Sequence, residues 1–141
     1  MAERRSLDEV MRHLLTATRT WAVVGWSPRP DRPSNRVARF LEQAGFDVHP
    51  VNPGAVGADT GLARPCVATL AELPEPPDVV DVFRRSSRAG EVVDQAVEIT
   101  AGAVWMQLGV IDLAAAERAR AAGLAVVMDR CPAIEWPRLV G

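Results

Sequence analysis

Lysine and tyrosine are missing from all 141 residues. Without lysine there is no Schiff-base nitrogen, no pyridoxal attachment and no phosphate-loop lysine; without tyrosine there is no Tyr/Lys acid pair of the short-chain dehydrogenase kind. An arginine at every strongly basic position is also what coding bias in a genome produces, and the exclusions hold under either reading. Cysteine is scarce: Cys66 and Cys131 lie in neither a Cys-x-x-Cys pair nor a dense framework, so nothing indicates disulfide stapling or a metal site. Net charge is only −2, which favours neither nucleic acid nor a membrane surface, so any basic patch must be local. No apolar run approaches the ~20 residues of a membrane span, and the polar start Met1-Ala2-Glu3-Arg4-Arg5 lacks a following signal-peptide core. The expectation is a cytoplasmic protein with one domain over residues 1–141, at 48% hydrophobic residues well able to bury a core.

Apolar strand-like runs alternate with segments of helical period. The runs are 21–25, 46–51, 79–83, 103–108 and 124–128, mostly continuous rather than alternating, as strands buried on both faces should be. Between them Val37, Phe40, Leu41 and Ala44 share one helical face, as do Val92, Val93, Ala96 and Val97, and 113–122 is an alanine-rich helix. Gly45, Gly102 and Gly123 fall where C-terminal caps belong. An additional N-terminal helix is announced by the capping box Ser6-Leu7-Asp8-Glu9 and the apolar stripe Val10, Met11, Leu14 and Leu15. The pattern predicts an α/β architecture of three layers, a five-stranded parallel sheet with helices on both faces. Residues 52–77, rich in Pro and Gly, are the longest irregular stretch, with one helical turn expected over 69–73.

Ligands of an open parallel sheet bind outside the carboxyl ends of the strands. After the first strand comes Gly25-Trp26-Ser27-Pro28-Arg29-Pro30-Asp31-Arg32-Pro33-Ser34-Asn35-Arg36, a Gly turn running into a helix start. Such a turn aims backbone N–H groups and the positive helix end at one point and favours an anion. The second and third glycines of the dinucleotide fingerprint are absent. Arg29, Arg32, Arg36, Arg84, Arg85, Arg88 and Arg130 all fall on this edge, seven of sixteen arginines, although arginine is also simply common in the loops of a lysine-free chain. Where dinucleotide enzymes using NAD place an acid to bind the ribose hydroxyls, this chain has Asn52. Asn tolerates a phosphate on that ribose, and Arg29, Arg32 or Arg36 can pair with it. NADP and coenzyme A both carry such a phosphate; a plain turn at Asn52-Pro53-Gly54 is the simpler alternative.

Five segments in order, Val24-Gly25-Trp26-Ser27-Pro28, Pro50-Val51-Asn52-Pro53, Val80-Asp81-Val82-Phe83-Arg84, Trp105-Met106-Gln107-Leu108-Gly109-Val110 and Val127-Met128-Asp129-Arg130-Cys131-Pro132, resemble the small stand-alone CoA-binding proteins. The fold of that family is similar to the CoA-binding domain of the succinyl-CoA synthetase α subunit. The resemblance covers nearly the whole chain and implies a Rossmann-like domain with the pyrophosphate near Gly25 and Ser27, the nucleotide near Asn52 and Pro53, and the third and fourth strand ends lining the site. The candidate contacts are therefore Gly25, Trp26, Ser27, Pro28, Arg29, Arg32, Ser34 and Arg36 in the first turn, Asn52 and Pro53 after the second strand, Phe83 and Arg84 after the third, and Gln107 and Gly109 after the fourth. The chain departs from the family pattern at Trp26, where a smaller residue is more usual.

No catalytic residue is assigned. An enzyme of the synthetase kind needs a phosphorylated histidine from a further domain and a nucleotide-binding partner subunit, whereas His13 falls on the leading helix and His49 inside the second strand, where structural roles are expected. Asp78, Asp81 and Asp129 flank strands and are read as hydrogen-bonding groups rather than an acid/base set. Cys131, beside Arg130, is read as a small buried hydrophobe, with a reactive thiol as the alternative; Cys66 is read as filler. Trp105 and Met106 should alternate between the two sheet faces, and Trp136 should cover a sheet edge or a dimer contact. The expected function is binding of CoA or an acyl-CoA, without metal, by a monomer or homodimer acting as a non-catalytic sensor, carrier or partner of another protein. An NADP-dependent oxidoreductase and an interaction domain with a vestigial site are the alternatives.

Overall fold

The computed structural model describes residues 5–141. Helix α1 (Leu7–Ala17) leads into strand β1 (Thr20–Val24), followed by α2 (Pro33–Gln43), β2 (Asp47–Val51), β3 (Val79–Val82), α3 (Ser86–Glu98), β4 (Ala103–Met106), α4 (Leu113–Ala121), β5 (Ala125–Val127) and α5 (Pro132–Leu139). Between β2 and β3 lie two single-turn 3₁₀ helices, Pro53–Ala55 and Leu70–Glu72. All five strands are parallel, in the order β2-β1-β3-β4-β5, which is the expected Rossmann-like α/β fold. Expected and observed strands differ only at their ends. The run 103–108 leaves the sheet after Met106, where Gln107 N–H still donates to the Val82 carbonyl at 3.2 Å before the chain turns.

Each strand feeds one core on either side of the sheet. Trp21, Val23, Val79, Ala103 and Trp105 face α1, α2 and α5, while Ala22, Val24, Val80, Val82, Val104 and Met106 face α3 and α4. Trp105 and Met106 thus point to opposite faces as the period of two requires. Trp21 packs against Trp105 and Phe46 with ring centroids 5.5 and 5.3 Å apart, and its Nε1 donates to Thr18 Oγ1 at 2.9 Å. Trp105 Nε1 donates to the Arg130 carbonyl, so neither buried indole leaves its polar end unpaired. Trp136 lies edge-on against Phe40 and Phe46 in the same layer, where Phe46 leads into the edge strand β2.

The helix ends follow local chemistry. Ser6 Oγ accepts from Glu9 N–H and Asp112 Oδ1 from Ala115 N–H, capping α1 and α4. Gly45 and Gly123 take left-handed backbone after α2 and α4. The expected cap at Gly102 is displaced: Thr100 holds the left-handed conformation after α3 (φ 59°), and Gly102 is required by space, because a Cβ there would stand 2.8 Å from the Asp78 carbonyl oxygen. No described helix is long and apolar enough to cross a membrane.

Candidate functional site

The chain passes from β1 outward to β2 and returns on the other side of β1 to β3, so strand order reverses between β1 and β3. The carboxyl ends of those two strands splay apart at such a point and leave a crevice. Gly25 closes β1 there. Its N–H donates to the Val51 carbonyl, its backbone is left-handed at φ +90°, and a Cβ would stand 2.4 Å from the Phe83 carbonyl oxygen. Only glycine lets the turn approach the end of β3 this closely.

The turn is anchored from three directions. Ser34 Oγ accepts from Ser27 N–H at 3.0 Å, Asn35 Nδ2 donates to the Ser27 carbonyl at 2.8 Å, and Asn52 Nδ2 donates to the Trp26 carbonyl at 2.7 Å. Asn52 Oδ1 accepts from Gly54 N–H and so also starts the 3₁₀ turn at Pro53. Both ends of the Asn52 amide are committed to backbone, which makes it a positioning residue for the first turn. Trp26 is fully buried in the core under α2, so the bulk that departs from the family pattern points inward and leaves the turn's outer surface to backbone. Ser34 and Asn35 are buried polar residues on the face that α2 packs, each satisfied by the turn.

Helix α2 begins at Pro33 with Arg32 in the capping position and no side-chain cap, and α3 begins at Ser86 after Arg85, likewise uncapped by a side chain. Pro33 has no N–H, and the Asn35 and Arg88 N–H groups turn back onto the Arg32 and Arg85 carbonyls, so only Ser34 N–H in α2 and the Ser86 and Ser87 N–H groups in α3 are left for an outside acceptor.

The candidate residues separate into two clefts. Gly25, Asn52, Pro53 and Arg84 line one of about 150 Å³ in the β1/β3 crevice, closed by Thr69 from the irregular stretch and Gln95 from α3. Arg36 and Gln107 line a second, of about 540 Å³, between α2 and α5. Gly109 belongs to neither: its N–H donates to Asp129 Oδ1 at 2.7 Å and its carbonyl accepts from Ser86 Oγ, tying the ends of β3, β4 and β5 together. Pro28, Arg29 and Arg32 are exposed on the outer turn, and Phe83 contributes its carbonyl against Gly25.

The arginines of this edge are not equivalent. Arg88 pairs with Glu91, Arg130 with Glu135 and Arg29 with Asp31, while Arg36 donates to the Asp31 carbonyl and braces the turn. Arg32, Arg84 and Arg85 have no carboxylate partner among the described residues. Glu91 also borders the crevice, so the field there is mixed rather than uniformly positive.

The remaining titratable groups sort by burial. Asp78 Oδ2 accepts from Arg19 and Thr20 N–H, the strand-end role expected of it. Asp81 has no such role: it lies in the middle of β3, fully buried, with neither oxygen hydrogen-bonded, and burial holds its carboxyl well above the usual range. Burial also lowers the pKa of His49, against the opposing pull of Asp47 at 3.6 Å; this pair sits at the amino end of the sheet, away from the crevice. Cys66, tucked under Asn52, has its thiol pushed up by burial, and Cys131 lines the second cleft at the start of α5. Among the described residues no group of three or more His, Cys, Asp or Glu is placed to hold a metal ion.

Asn35, Ser86, Thr69 and Gln95 were missed by sequence reasoning. Asn35 alone left a signal, a polar residue three positions ahead of Ala38 on the buried face of α2. Thr69 comes from the irregular stretch between β2 and β3, and Ser86 and Gln95 from α3.

Known proteins share this fold. The family model for a CoA binding domain matches residues 19–137. An uncharacterized protein of Bacillus subtilis, YneT, is 36% identical over 121 residues, 86% of this chain and 87% of its own. A solved hypothetical protein from Pyrococcus horikoshii superposes with a TM-score of 0.88 at 36% identity, covering 100% of both chains. One from Thermus thermophilus gives 0.86 at 36% identity over 94% of this chain and 98% of its own. With a family model matching residues 19–137 and a relative 36% identical over most of its length, this chain belongs to the CoA-binding domain family.

Proposed function

We propose that the chain binds coenzyme A or an acyl-CoA at the carboxyl ends of β1, β2 and β3, as a single-domain, non-catalytic sensor, carrier or partner protein of the cytoplasm. Membership of the family supports CoA binding in general. The observation that carries the assignment to this edge is the first turn itself. Gly25 is pressed against the Phe83 carbonyl at the crevice, and the turn runs from there into the start of α2, which has no side-chain cap and whose free Ser34 N–H and positive helix end suit a pyrophosphate. The residues present fit the ligand: Ser27 and Ser34 bring hydroxyls to the turn, and Arg32 and Arg84 are cations without a protein carboxylate for the ribose phosphate. Coenzyme A supplies a thiol and the thioester chemistry that goes with it; the chain's own residues bind and orient.

Thermal unfolding with CoA, acetyl-CoA, NADP and NAD tests this reading. A ligand at 100 times its Kd should stabilise by roughly 2.7 kcal/mol, a clear rise in Tm. Shifts with the two CoA species support the proposal. A shift from NADP alone supports the oxidoreductase, and no shift from any of the four supports a vestigial site.

A further inference from the structure

We infer that the cleft between α2 and α5 receives the pantetheine arm of the ligand and selects thioesters with an apolar acyl group. The inference rests on the CoA reading and adds a second contact region to it. Two independent observations support it. The first is Gln107, a residue that lines this cleft, is only 6% exposed and holds a buried Oε1 without a hydrogen-bond partner. A buried amide oxygen without a partner is rare, and it calls for a donor from outside the chain. Pantetheine carries two secondary amides, each with a donor and an acceptor, so an amide opposite Gln107 satisfies the side chain whichever way it is turned.

The second observation is the cleft's position and lining. Pro33 and Arg36 belong to the first turn of α2, so the cleft begins where the proposed pyrophosphate site ends. Deeper in, Val37, Phe40 and Ala133 make it apolar, with no carboxylate among its lining residues. At its mouth Leu108 and Ile134 are 58% and 62% exposed, large aliphatic side chains held in water on either side of the opening. The β1/β3 crevice has only about 150 Å³, against about 540 Å³ here, so an extended ligand whose nucleotide fills the first has its room in the second. A polar or anionic acyl group would lose its hydration among these side chains, whereas an aliphatic one gains by burial.

Calorimetric titration of the intact protein with adenosine 3′,5′-bisphosphate, CoA and hexanoyl-CoA tests the inference. Hexanoyl-CoA should bind at least tenfold more tightly than CoA. Gln107→Met, which keeps the shape and removes the amide, should weaken CoA and hexanoyl-CoA about tenfold and leave the bisphosphate, which has no pantetheine, unchanged. Ile134→Asp, at an exposed position that does not threaten folding, should abolish the preference for hexanoyl-CoA while the bisphosphate binds as before. Equal affinity for CoA and hexanoyl-CoA in the unmodified protein, or a loss of bisphosphate binding in either variant as large as its loss of CoA binding, overturns the assignment of the cleft and leaves the CoA reading standing. No binding of CoA overturns both.

Discussion

The side-chain amide of Asn52 donates to the Trp26 carbonyl across 2.7 Å, so the residue that ends β2 holds the turn that ends β1. Its oxygen meanwhile accepts from Gly54 N–H. Asn52→Asp turns a donor into a second acceptor facing the Trp26 carbonyl, while Asn52→Ala only deletes it. We expect the aspartate to be the worse of the two, with losses of about 1–3 kcal/mol in urea unfolding and a weakened response to CoA in both. If the Asn52→Asp variant bound CoA as well as the parent, the amide would not be needed to position the turn.

Gly25→Ala introduces a methyl group 2.4 Å from the Phe83 carbonyl oxygen at a backbone φ of +90°. Left-handed backbone alone costs a non-glycine residue roughly 1–2 kcal/mol, and the contact adds to it because the Phe83 carbonyl belongs to the chain just past β3. A fall in Tm of several degrees is expected, together with loss of the CoA-induced shift, since β1 and β3 must move apart at the crevice. Gly57→Ala, which meets nothing within 4 Å at a similar φ of +88°, serves as the control that carries the conformational cost without the clash.

Asp81 sets a pH dependence of stability. Its carboxyl is held well above the ordinary value of 3.8 by burial, so in the window between the two the unfolded chain holds fewer protons than the folded one. Stability is therefore full below about pH 4 and falls as pH rises toward the folded value, by at most ~1.4 kcal/mol per pH unit from this group, then levels off. Asp81→Asn removes the slope. Urea unfolding from pH 4 to 8 should show the variant gaining on the parent as pH rises; parallel curves would mean that Asp81 is ionised or hydrated in the fold.

Arg84 borders the crevice and has no carboxylate partner among the described residues, which makes it available to the ribose phosphate. Arg84→Gln should cost CoA about 1.5–3 kcal/mol, roughly tenfold or more in Kd, and leave dephospho-CoA nearly unaffected. Comparison of the two ligands by titration isolates that pairing. Equal losses for both ligands would move the arginine's contact to the pyrophosphate.

The sheet was legible because its strands are buried on both faces and read as continuous apolar runs, with Trp21 and Trp105 inside two of them. The first turn was legible as a place but not as a mechanism. Asn52 and Trp26 are 26 residues apart, and nothing in either tripeptide announces their hydrogen bond. Arginines that look alike in sequence separate only in space, where Glu91 and Glu135 claim Arg88 and Arg130. The second cleft was invisible because Phe40 and Ala133 come from opposite ends of the chain and meet only when α5 docks beside α2. Asp81 looked like a strand-end hydrogen bonder; its register beside Trp105 in the middle of the sheet denies it any partner.

Titration calorimetry of the purified protein with CoA, repeated on Gly25→Ala and with NADP in place of CoA, tests the central claim most directly. Saturable binding of CoA to the parent protein, at least tenfold weaker binding of NADP, and loss of CoA binding in Gly25→Ala are the results expected of a pyrophosphate held at the first turn. CoA binding that survives Gly25→Ala undiminished, or NADP binding more tightly than CoA, would contradict it.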